Sequence, residues 1–196
     1  SLKIFFILSI GTGFSPFFFF CIFELALAKI YFKMQKISSF PPIIDKESKI
    51  LILGSIPGVK SLEMQQYYAH PQNKLWKIIC EIFNEEFTTD YTERIKILEK
   101  YHVALWDVID TCERKGSLDS EIRNEEANKI GELLHNYPNI KAIFCNGQKS
   151  HKNLLKILPK DFHLPIIVLP STSPAHASLR YEEKLLSWQK IKNYLP

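Results

Sequence analysis

Closely spaced cysteines are missing from this sequence. Its four cysteines, Cys21, Cys80, Cys112 and Cys145, are scattered and form no Cys-x-x-Cys pair. A structural zinc or an iron–sulfur cluster normally takes ligands at close spacing, so neither is expected. No disulfide framework is suggested either, and this cysteine usage suits a reducing cytoplasm. A strong charge of one sign is missing too. The formal balance is +4 over 196 residues, and half of it lies in residues 1–33, where Lys3, Lys29 and Lys33 outweigh Glu24. That argues against a protein that coats nucleic acid by bulk charge, while leaving room for a local patch that tracks phosphates. The histidines, His102 and His135 among them, lack metal-ligand spacing, and there is no internal repeat. The length suits one domain with a substantial core.

What is present is an alternation of two periods. Four apolar, β-branched-rich runs read as strands: Ile50–Leu53, Val103–Val108, Ile140–Cys145 and Ile166–Leu169. Between them lie helical patterns over Lys74–Phe83, Thr92–Glu99, Ile122–His135 and Gly147–Leu158, and Leu179–Leu195 closes the chain. Strands alternating with helices imply right-handed crossovers and a mainly parallel sheet covered on both faces. The expected fold is an α/β class three-layer α/β/α sandwich.

Two segments carry chemistry. The first strand runs into the turn Gly54-Ser55-Ile56-Pro57-Gly58, then Tyr67-Tyr68-Ala69-His70-Pro71-Gln72-Asn73, before an apolar helix. Open α/β sheets bind ligands at such carboxyl ends. The aromatics offer a stacking surface, and Asn73 offers donors and an acceptor. A planar, hydrogen-bonding ligand such as a nucleobase fits. The last strand runs into Ser171-Thr172-Ser173-Pro174-Ala175-His176. Each residue also has a plainer reading. Asn73 would cap the helix that follows, and Tyr68 would pack in the core. Asp107, at the end of the second strand, would cap the next element. Gly116-Ser117-Leu118-Asp119-Ser120 reads as a helix cap before Ile122, and the Ser171–His176 loop as a cap for the final helix.

Together the two segments resemble the uracil-DNA glycosylase superfamily, within it the hypoxanthine-DNA (deoxyinosine) or G:U mismatch-type branch, over roughly Ser39 to Leu195. The resemblance implies a four-stranded sheet of order 2-1-3-4. It also implies a monofunctional glycosylase that flips a deaminated base, with hypoxanthine favoured, out of double-stranded DNA and leaves an abasic site. On that likeness Asn73 is the catalytic residue. Ser55, Ile56, Tyr68 and Asp107 bind the base, with the Ser55 and Ile56 amides meeting a carbonyl. His70, Ser171, Ser173, Pro174, Ala175 and His176 bind DNA. Some relatives carry a cluster; this chain lacks the residues for one. No metal or cofactor is expected, and the protein is expected to act as a cytoplasmic monomer at the nucleoid. One departure stands out: mismatch-specific uracil glycosylases place a water-positioning asparagine where this chain has Ile56, which has no polar side-chain atom. The alternatives are a uracil- or mismatch-directed glycosylase and a catalytically silent nucleic-acid-binding module.

The amino terminus stands apart. Ile4 to Phe23 carries no charge and includes Phe17–Phe20, yet Gly11, Gly13 and Pro16 interrupt it. It reaches the ~20 residues a membrane span needs. Met34-Gln35-Lys36 looks like the family's usual opening. Residues 1–33 are therefore read as a hydrophobic extension, either a mis-called start, a membrane or targeting segment, or a packed addition. Residues 34–196 are read as the glycosylase domain, with no membrane role.

Overall fold

The computed structural model describes residues 35–196, so the hydrophobic extension and the candidate start at Met34 lie outside the described residues. Four strands form the central sheet: β2 (Ile50–Gly54), β3 (Val103–Asp107), β6 (Ala142–Asn146) and β7 (Ile166–Leu169). All neighbours are parallel and the order is β3-β2-β6-β7, which is the expected 2-1-3-4. Every residue of β2 is buried, as a central strand covered on both faces requires.

The pleat sorts these side chains between two helical layers. Ile50 and Ile52 face α2 (Leu75–Phe83), α3 (Tyr91–Lys100) and α6 (Tyr181–Trp188), packing with Leu75, Ile78, Ile79, Leu98 and Trp188. Leu51 and Leu53 face α4 (Ile130–Asn136) and α5 (Gln148–Ile157), packing with Ile130, Leu133 and Leu154. A short helix, α1 (Val59–Met64), follows the first turn. Among the described residues no helix is long and apolar enough to cross a membrane.

Three expectations are corrected. The second apolar run does not continue through Val108 as one strand. It ends at Asp107, and a new strand, β4 (Ile109–Arg114), joins β1 (Gln35–Ser38) and β5 (Arg123–Ala127) in a separate sheet of order β1-β4-β5. The helix expected over Ile122–His135 forms only from Ile130. Residues 123–127 have no apolar face to bury against the sheet. Instead they pair antiparallel with β4 through polar side chains, Thr111 Oγ1 donating to Glu126 at 2.9 Å and Asn124 Nδ2 to Glu113 at 3.0 Å. The closing helix stops at Trp188 and tightens into a 310 turn over Gln189–Tyr194.

Candidate active site

The carboxyl ends of the parallel strands open onto a cavity of about 350 Å3. Register brings Gly54 beside Asp107 on β2 and β3, and Asn146 beside Leu169 on β6 and β7. The cavity is lined by Ser55, Ile56, Tyr68, His70, Asn73 and Asp107 from the first half of the chain. Ser171, Ser173, Pro174, Ala175 and His176 line it from the second. All the residues singled out in the sequence therefore meet at one place.

The turn after β2 is shaped by close approach. A Cβ at Gly54 would come within 2.6 Å of Tyr68 Oη and closer still to Asp107 Oδ1, so only glycine lets these two groups converge over the strand end. The carbonyls of Gly54 and Ser55 are used by the amides of Val108 and Ile109, both at 3.0 Å. Among the described residues the Ser55 and Ile56 amides have no acceptor. The Ile56 side chain is buried with Ile37, Ile109, Cys112 and Ile122 in the core under the small sheet, so it offers the cavity little beyond its backbone.

Tyr67 and Tyr68 divide the work of the aromatic segment. Tyr67 is buried, its hydroxyl donates to the Phe40 and Pro41 carbonyls at 3.1 and 3.2 Å, and its ring lies 6.3 Å behind that of Tyr68. Trp76 Nε1 donates to the Tyr67 carbonyl at 2.9 Å and Ser61 Oγ accepts from the Ala69 amide at 3.2 Å, which fixes the path of the segment. Tyr68 sits at φ 53, a costly conformation for an aromatic residue and one often found at functional sites. Its hydroxyl is buried without a hydrogen-bond partner, while the residue as a whole remains half-buried at the cavity wall. Burial, then the nearby Asp107 carboxyl, raises the phenol well above its usual range.

Asp107 is 3 % exposed, and burial pushes its carboxyl up to about 7, reinforced by Asp119 and opposed by Ser39 and Arg114. Ser39 Oγ donates to Oδ2 at 3.3 Å. Asp107 caps no helix; the chain runs on into β4, and Asn128 Nδ2 donates to its carbonyl at 2.9 Å.

Asn73 stands both at the start of α2 and at the cavity wall. Its Oδ1 accepts from the Leu75 amide at 3.0 Å, satisfying one of the free N–H groups at the start of α2. Its Nδ2 has no partner among the described residues and stands at the cavity wall. His70 Nδ1 accepts from the Gln72 amide at 3.1 Å, holding an exposed ring at the rim.

The loop after β7 is bound to this helix start. Thr172 is fully buried, and the Lys74 amide donates to its carbonyl at 3.0 Å. Ser171 and Ser173 turn the loop by accepting from the Ser173 and Ala175 amides, leaving Pro174, Ala175 and His176 exposed. The loop does not cap the final helix, which begins at Tyr181 with Arg180 before it. Lys184 Nζ donates to the His176 carbonyl at 2.5 Å, and burial, then the nearby Lys74 cation, lowers its pKa. Neither lysine has an ion-pair partner among the described residues.

Several further residues of the cavity wall have no role in the sequence reading. Asn146 is one, discernible as a polar residue ending an apolar run before Gly147. Ser117 and Asp119 are two more, set aside as part of a helix cap. Ser117 Oγ accepts from the Val59 amide at 2.9 Å, and Asp119 Oδ1 accepts from Ser55 Oγ at 2.8 Å, so the loop clasps the first turn. Among the described residues no group of three His, Cys, Asp or Glu is placed to hold a metal ion.

A flat aromatic wall beside amides and a buried carboxyl, set at the strand ends of an α/β/α sandwich, defines a pocket for a planar, hydrogen-bonding ligand. The family model of the uracil DNA glycosylase superfamily matches residues 41–194, and the chain belongs to that superfamily. It is 40% identical over 117 residues to a hypoxanthine DNA glycosylase of Methanosarcina barkeri, covering 59% of this chain and 74% of the relative. It is 35% identical over 138 residues to a hypoxanthine DNA glycosylase of Methanosarcina acetivorans, covering 70% and 86%. The solution NMR structure of a uracil DNA glycosylase candidate from Methanosarcina acetivorans superposes with a TM-score of 0.69 at 31% identity, covering 81% of this chain and 99% of that one.

Proposed function

We propose that this chain is a monofunctional DNA glycosylase that excises hypoxanthine from double-stranded DNA. The observation that carries the reading is the convergence of the Tyr68 ring, the free Ser55 and Ile56 amides, the Asp107 carboxyl and the Asn73 amide on one cavity. A base inside a duplex must be flipped out to be reached, and the cavity receives it. Tyr68 stacks on its face. Deamination leaves a carbonyl beside a ring N–H. The Ser55 and Ile56 amides donate to the carbonyl, and ionised Asp107 accepts from the N–H. Adenine presents an amino group to those amides instead, so the same wall disfavours it.

Catalysis follows from the remaining groups. As the N-glycosidic bond breaks, its electron pair leaves with the base and the sugar becomes cationic. Water then forms the new bond to the sugar carbon, and the proton it loses ends on the departing base, so that both products are neutral. The free Nδ2 of Asn73 orients that chemistry as a preorganised dipole. No covalent lysine step is needed: Lys60, the lysine lining the cavity, is paired with Glu63 at 2.8 Å. The Ser171–His176 loop grips phosphates, aided by exposed Lys74, while buried Lys184 holds the His176 carbonyl in place. The enzyme works as a cytoplasmic monomer at the nucleoid; the free, buried Cys80, Cys112 and Cys145 suit a reducing compartment. The test is excision of otherwise identical duplexes carrying inosine, uracil or adenine. Preferred cleavage of inosine is expected. Preferred cleavage of uracil, or binding with no abasic product, would replace the reading.

A further inference from the structure

Hydrolysis needs an acceptor for the proton that the attacking water loses, and the residues assigned so far do not supply one. Asn73 turns its Oδ1 onto the Leu75 amide and leaves the cavity its Nδ2 donor. His70 Nδ1 accepts from the Gln72 amide, so the neutral ring carries its proton on Nε2 and is likewise a donor. Ser171 and Ser173 bring hydroxyls, which are weak bases, and His176 stands on the loop read as the phosphate grip. Among the described residues two carboxyl groups line the cavity, Asp107 and Asp119. Asp107 is buried and, in the proposed function, engaged by the base. Asp119 is exposed, at the start of the 310 turn Asp119–Glu121. Burial is the larger cause of the raised Tyr68 and Asp107 pKa values, and the Asp119 charge adds to both, which sets it near the two. Ser55 Oγ donates to Asp119 Oδ1 at 2.8 Å, while Oδ2 has no partner among the described residues. The loop behind it is fixed: Ser117 Oγ accepts from the Val59 amide at 2.9 Å, and buried Arg114 donates to the Pro57 and Gly116 carbonyls. One carboxylate oxygen is thus held in place and the other is open to water.

We propose that Asp119 is the general base of the reaction, accepting the proton of the water that attacks the sugar. The inference rests on the DNA-glycosylase reading and adds a second catalytic residue to it. The glycosidic electron pair leaves with the base, the water oxygen bonds to the cationic sugar carbon, and the water proton passes to Asp119 Oδ2. From there the proton moves to the departed base, which restores the carboxylate and leaves both products neutral. A positioned general base contributes about 100- to 10,000-fold in rate. The two carboxyl groups divide the work by environment: the buried one meets the base, and the exposed one meets the water.

The test is Asp119→Asn in the full chain, with the thermal midpoint and duplex affinity measured alongside. An asparagine keeps the size and still accepts from Ser55 Oγ, but it does not take up a proton at neutral pH. Single-turnover excision of inosine should fall about 100-fold or more, with the midpoint unchanged and affinity within about threefold. A second arm uses Asp119→Ala. Its rate should rise several-fold with added formate and not with chloride at the same ionic strength, because only formate replaces a carboxylate. Near-parental cleavage by the Asn variant would leave Asp119 as a clasp for Ser55 and overturn the proposal. An Ala variant that is slow and indifferent to formate would overturn it too. A parent enzyme that excises uracil in place of inosine corrects the proposed substrate, and the same comparison run on uracil still decides on Asp119. A parent that forms no abasic site removes both readings.

Discussion

Asn146 holds Thr172 with both ends of its side-chain amide. Nδ2 donates to Thr172 Oγ1 at 2.8 Å, and Oδ1 accepts from the Thr172 amide at 2.9 Å. The Thr172 carbonyl in turn accepts from the amide of Lys74, the residue after Asn73. One buried threonine therefore joins the end of β6, the second loop and the start of α2. The catalytic candidate and the candidate DNA-binding loop are both tied to this junction.

Breaking the junction should loosen both sides at once. Asn146→Ala leaves the buried Thr172 hydroxyl without its donor, and a buried polar group left unpaired costs ~1–3 kcal/mol. Chemical denaturation should show a loss of that order. Inosine excision should fall further than the stability loss accounts for, because Asn73 and the loop drift apart. Unchanged excision at an unchanged denaturation midpoint would show that the junction is idle.

Tyr68 should depend on its ring and not on its hydroxyl. The hydroxyl is buried and unpartnered, so Tyr68→Phe removes an unsatisfied group. Stability should hold or rise by up to ~1 kcal/mol, with most activity retained. Tyr68→Ala should weaken processing by ~1–3 kcal/mol through lost stacking. Equal processing by the Ala variant and the parent, at equal stability, would remove Tyr68 from the base platform.

Asp107 sets a pH dependence of two signs. Its folded carboxyl titrates at about 7 against an ordinary value of 3.8, so the folded state keeps a proton that the unfolded chain releases. Its contribution to stability is fully present below 3.8 and is lost as pH rises through about 7. Excision should move the other way, rising through the same range as the carboxylate forms and accepts from the base. Asp107→Asn should flatten both profiles and raise the melting temperature at pH ~8, where the buried charge is removed. Thermal melts and single-turnover rates measured across pH ~5 to ~8.5 check both signs.

The central sheet was readable because its strands are apolar on both faces, and a run such as Ile50–Leu53 admits little else. The small sheet was not. Arg123-Asn124-Glu125-Glu126 has no hydrophobic period; its place is set by partners across the sheet and by the ion pairs of Glu125 with Lys149 and Lys156. The site divides in the same way. Tyr68 and Asn73 stand in a contiguous segment beside a strand end and could be found by pattern. Asp119 reaches the site through a hydrogen bond to Ser55, 64 positions away, which no local pattern encodes. The pull of burial on Asp107 was equally hidden, because burial depends on Ser39, Tyr68 and the Gly54 backbone closing around it.

Asn73 either acts in the chemical step or only starts a helix. Asn73→Asp separates the two. An aspartate still accepts from the Leu75 amide and caps about as well, but it lacks the Nδ2 donors. The decisive measurement is single-turnover cleavage of inosine-containing duplex by Asn73→Asp at matched thermal stability, beside its affinity for the same duplex. Loss of a preorganised donor should slow cleavage by ~100-fold or more while affinity changes only a few fold. Near-parental cleavage by the Asp variant would contradict the account and leave Asn73 as a cap.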